Sequence, residues 1–130
     1  FDVRGSKTDV DASKYIVVGD ASGGDKIKFN ALDQSSGFER VEDSVVKDAT
    51  TLKEAINLAI ASNQSASPIL NKVFYFTYAG DTYVVHNATS TAVGTPDTLT
   101  AADTVVKLAG VRSDDLILTA DYTEGTLNIN

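Results

Sequence analysis

The chain has no cysteine, no methionine and no tryptophan, only two prolines and one histidine in 130 residues. Without cysteine there are no disulfides, no zinc–thiolate sites and no thiol chemistry. A secreted protein of this size built without disulfides reads as a bacterial exoprotein stabilised in another way. One histidine and no cysteine leave little for a zinc centre. No apolar run reaches the roughly 18 residues that a membrane helix needs, and no basic start with an apolar stretch marks a signal peptide. Positive charge is also scarce: 11 Lys and Arg stand against 18 Asp and Glu, for a net charge of −7. That balance argues against a nucleic-acid partner, which needs a basic patch to displace counterions. It argues equally against docking on anionic lipid. It fits a protein that binds cations or simply resists aggregation.

What is present suits one domain with a real core: hydrophobic residues make up 42% of the chain. Opening on Phe1, without Met, the sequence reads as a single domain, 1–130, excised from a longer protein. Residues 1–13 are polar and read as a loop or weak edge strand. Ile16–Val18 and the alternating Lys26-Ile27-Lys28-Phe29 read as strands, with Gly23-Gly24 as the turn between them. A further strand is expected around Phe38–Val41.

Thr51 and Glu54 form a capping box, in which each side chain accepts from an orphan amide of the first turn. Leu52, Ala55, Ile56, Ala59 and Ile60 then make one apolar stripe. The helix is expected to fade by Asn63, because the following Asn-Gln-Ser-Ala-Ser-Pro is rich in breakers. Next comes a hairpin, "YFTYAGDTYVVHN". Phe74, Phe76 and Tyr78 point one way, while Val73, Tyr75 and Thr77 point the other. On the return strand Tyr83 and Val85 share a face, with Val84 and His86 opposite. Gly80 and Asp81 are expected to form the turn. Both faces carry bulk, so the hairpin is placed at the centre of a sheet with one face under the helix, its aromatics filling the core. Residues 88–103 read as a long loop. Strands follow in "TVVKLAG", ended by Gly110, at Leu116–Thr119 and near the terminus. The expected fold is mainly β: one α-helix and about seven short strands, antiparallel-rich, with the helix on one sheet face.

His86, at a strand end with no G-x-S-x-G turn in the chain, reads as a polar surface residue rather than a catalyst. Acidic clusters offer the other candidates. Asp20 and Asp25 bracket the Gly-rich turn; Asp9 with Asp11, Asp97 with Asp103, and Asp114 with Asp115 follow. Calcium takes carboxylate and carbonyl oxygens from such loops. The plain alternative is that Asp and Gly are good turn formers. No stretch has EF-hand spacing, and no pair of acids is singled out for glycoside hydrolysis, although an exposed Tyr122 could stack on sugar.

Three segments together resemble a known family. "GGDKIKF" is similar to the end of the calcium-binding β-roll of RTX proteins. "FYFTYAGDTYVVHN" followed by "DTVVKLAGV" resembles the carboxy-terminal region of RTX-type S-layer and related bacterial surface proteins exported by type I secretion. The full nonapeptide G-G-x-G-x-D-x-U-x does not occur. The resemblance implies a secreted or cell-surface structural domain, the carboxy-terminal one of its parent chain, that caps a parallel β-roll. It also implies calcium-linked folding, with Asp20 and Asp25 the best-matched metal positions. Self-association with neighbouring subunits would run through strand edges and the 88–103 loop, with no catalysis and no membrane insertion. A carbohydrate-binding or adhesin module and the non-catalytic tail of a secreted hydrolase are the alternatives.

Overall fold

The computed structural model describes residues 1–4, 15–29, 38–63, 72–87, 98–100, 102–112 and 117–130. It is mainly β, with eight strands and two helices in the described residues. The elements are β1 (Ile16–Val18), β2 (Lys26–Lys28), β3 (Phe38–Arg40), α1 (Asp43–Val46), α2 (Leu52–Asn63), β4 (Lys72–Tyr78), β5 (Asp81–Asn87), β6 (Thr104–Leu108), β7 (Leu118–Asp121) and β8 (Thr126–Ile129). No helix in the described residues is long and apolar enough to cross a membrane.

The hairpin is central, as its two bulky faces require. A five-stranded sheet runs β1-β6-β5-β4-β3, with β4, β5 and β6 antiparallel and the outer strands β1 and β3 added in parallel. Alternation then feeds two separate cores. Val73, Tyr75, Val84, Val106 and Leu108 join Ile27, Leu118, Leu127 and Ile129 of a second sheet, ordered β2-β8-β7, and Phe29, which directly follows β2. Phe74, Phe76, Tyr83, Val85 and Val105 share the other cluster with Ala55, Ile56, Ala59 and Ile60 of α2 and Val46 of α1. The small alanines on the helix stripe are completely buried, which lets that stripe sit close to the aromatic rings. Phe76 stacks on Tyr83 with ring centroids 6.0 Å apart, and Tyr15 meets Tyr83 edge-on at 6.2 Å.

The capping box is half realised. Thr51 Oγ1 accepts from the Glu54 amide at 3.2 Å, but the Glu54 carboxylate accepts from the amide and hydroxyl of Thr50, one residue earlier than expected. The hairpin turn is also one residue earlier, at Ala79-Gly80. Both have positive φ, 52° and 86°, as the tightest hairpin turns require. Gly80 takes this at no steric cost; Ala79 does not. Placing Asp81 outside the turn frees it to begin β5. The short α1 was not expected, since four residues carry too little periodicity to register. The strand expected from Leu116 runs from Leu118 to Asp121.

The amino-terminal residues do more than a loop. Val3 is buried, its amide donates to the Lys28 carbonyl at 2.9 Å, and the Lys28 amide donates to the Phe1 carbonyl at 2.7 Å. Residues 1–3 thus lie parallel to β2.

Candidate functional site

Of the acidic positions singled out by sequence, Asp9, Asp11, Asp97, Asp114 and Asp115 lie outside the described residues. Asp20 and Asp25 flank the turn as expected, with Gly24 at φ 98°. The Asp25 carboxylate is turned onto that turn: one oxygen accepts from the Ser22 amide at 2.8 Å and stands 3.4 Å from the Ser22 hydroxyl. The Ser22 carbonyl takes the Asp25 amide at 3.1 Å, and the Gly24 amide reaches the Ile129 carbonyl at 2.7 Å. Among the described residues, no group of three or more His, Cys, Asp or Glu gathers around a common point. The strand leaving this turn, β2, pairs antiparallel with β8. The "GGDKIKF" segment therefore enters an antiparallel sheet, where its β-roll likeness implies stacked parallel turns.

His86 is corrected from surface to core. It is 2% exposed, opposite Val73 and Thr104 in the sheet, with its ring centroid 5.3 Å from that of Phe29. Sequence alternation had put it on the Val84 face; what it could not supply was the second sheet that covers that face. Asp103 is also wholly buried. Its carboxylate accepts from the Thr100 amide at 2.9 Å, and its own amide donates to the Thr100 carbonyl at 3.1 Å, closing a turn at the entry to β6. This part of the long loop is tied down from the helix side too, because Asn57 of α2 accepts from the Leu99 amide at 2.8 Å.

Two polar clusters were missed by sequence reasoning. In the first, Lys107 of β6 reaches Asp81 at 3.2 Å, beside Tyr83, its cross-strand neighbour. The Gly110 amide, bonded to Asp81, is the main cause that lowers the Asp81 pKa, with Lys107 adding to it. Burial, then the neighbouring Tyr15 and Asp81, push the Tyr83 phenol up to about 12. A charged carboxylate and a neutral phenol make this a structural pair of turn and strand.

The second is an open groove of about 370 Å³ between α1 and the β4–β5 turn, lined in part by Asp43, Lys47, Tyr78, Ala79 and Arg112. Arg112 donates to Asp43 Oδ2 at 3.2 Å, while Arg40 stands 3.7 Å from Asp43 Oδ1. Asp43 and Arg112 are far apart in the chain and carry no motif, so nothing in the sequence joins them.

No protein-family model matches this chain, and no curated protein does either. The site geometry and the sequence likeness carry the functional reading.

Proposed function

We propose that this chain is a structural domain of a secreted bacterial surface protein of the S-layer or RTX type, acting in lattice assembly and in calcium-linked folding and export rather than in catalysis. The observation that carries the reading is the state of two of the edge strands, one in each sheet. Val17, in the middle of β1 at the edge of the five-stranded sheet, is 59% exposed. Ile117, at the entry to β7 on the edge of the smaller sheet, is 67% exposed. Edge strands bearing apolar side chains invite pairing with another chain. Because the two edges belong to different sheets, a contact between them would be head-to-tail, the kind that builds rings or open arrays. The burial of His86 against Phe29 supports a packing role for that residue over contact with a substrate.

Sedimentation velocity over a concentration series, with millimolar calcium present, tests the reading. Concentration-dependent association is expected, and Val17→Lys and Ile117→Lys should each abolish it while the thermal melt stays cooperative. A chain that remains monomeric at every concentration, or that associates equally well with both lysines in place, is not held together by these edges.

A further inference from the structure

We propose that the groove between α1 and the β4–β5 turn binds a saccharide of one or two rings. The proposal is independent of edge association, since the groove lies in neither edge strand. Its volume of about 370 Å³ is at the small end of ligand sites, which suits a sugar better than a long peptide.

A sugar ring presents an apolar C–H face and a rim of hydroxyls, each both donor and acceptor. The groove offers a counterpart to each. Tyr78 supplies an aromatic ring, and its hydroxyl donates to the Ala49 carbonyl at 3.3 Å, which anchors its outer end. Ala79 extends the apolar lining. On the polar side, Asp43 and Arg112 stand as a carboxylate–guanidinium pair at 3.2 Å. Acceptor and donors side by side match two vicinal hydroxyls, one giving and one taking a hydrogen bond.

Two further observations fall on the same groove. Asp43 Oδ1 is shielded from solvent and has no hydrogen-bond partner, although Arg40 is 3.7 Å away. An occluded acceptor left without a hydrogen-bond donor is costly, and a ligand hydroxyl is a group that can supply one. Ala79, on the groove wall, holds the left-handed backbone of the hairpin turn at φ 52°, so the turn sets the shape of that wall. Lys47 and Arg112 stand against Asp43 in the groove, so its charge is mixed and inorganic phosphate is the competing occupant that the test has to exclude.

The test is an amide-resolved NMR titration of the intact 130-residue chain with galactose, mannose, N-acetylglucosamine, lactose and cellobiose up to tens of millimolar, with inorganic phosphate in parallel. At least one sugar should give saturable shifts confined to residues 43–47, 77–80 and 112. Asp43→Asn and Arg112→Gln should each weaken that binding about tenfold with the melting temperature unchanged. The mapping on the unaltered chain needs no variant to fold. Failure of all five sugars to saturate, shifts centred elsewhere, saturation by phosphate alone, or affinity untouched in both variants would each overturn the assignment.

Discussion

Lys107 Nζ lies 3.2 Å from Asp81 Oδ2, while Asp81 Oδ1 accepts from the Gly110 amide at 2.7 Å. One carboxylate thereby ties the start of β5 to the end of β6 and fixes the glycine turn that follows. Its pKa is lowered by the Gly110 bond first and Lys107 after it. A depressed carboxylate stabilises the fold above its unfolded pKa, near 3.9, and that contribution is lost as pH falls through the lower folded value. Asp81→Asn should cost about 1–2 kcal/mol at neutral pH. The gap between variant and parent in urea unfolding should close as pH drops below about 4. A gap that is constant down to acid pH would mean that the charge is immaterial.

Ala79 sets up a gain of stability. Its backbone is left-handed at φ 52° and Gly80 follows at 86°. Asn tolerates this conformation and, before Gly, forms the preferred two-residue hairpin turn. Ala79→Asn should raise the urea midpoint by the equivalent of about 0.5–1 kcal/mol with the slope unchanged. A lower midpoint would show that Ala79 is retained for its methyl contacts and not merely tolerated.

Tyr83 is 5% exposed between Phe76 and Tyr15. Tyr83→Ala should cost about 3–5 kcal/mol, as aromatic truncations in cores do; a cost below about 1 kcal/mol would contradict its burial. Its phenol, raised to about 12 by burial, keeps its proton in the folded chain after the unfolded chain has lost it near pH 10. Folding stability should therefore be intact below pH about 10 and fall between about 10 and 12. Tyr83→Phe should flatten part of that fall. Ultraviolet titration of the phenols should show a late step that disappears in the same variant.

Calcium makes a separate test of Asp20 and Asp25. If the turn takes an ion on folding, calcium at about a hundredfold over its dissociation constant should add about 2.7 kcal/mol and raise Tm. Asp20→Ala should remove the increment. Identical melts in calcium and in chelator would remove the metal from the proposed function.

The sequence by itself determined the local alternation and the ends of the main helix. Residues 73–77 and 83–86 sort onto two faces because a strand's side chains alternate whatever surrounds them. The stripe from Leu52 to Ile60, with Thr51 as cap, needs only helical geometry. Tertiary structure decided what covers each face. It buried His86, since the sheet that Phe29 adjoins comes from distant strands. It made Lys26–Lys28, just after the Gly23-Gly24 turn, an antiparallel partner of β8, a pairing with a strand about a hundred residues away that no local pattern encodes. It brought Asp43 to Arg112 across 69 positions. Contacts at that separation leave no period in the chain; they exist only once the layers have stacked.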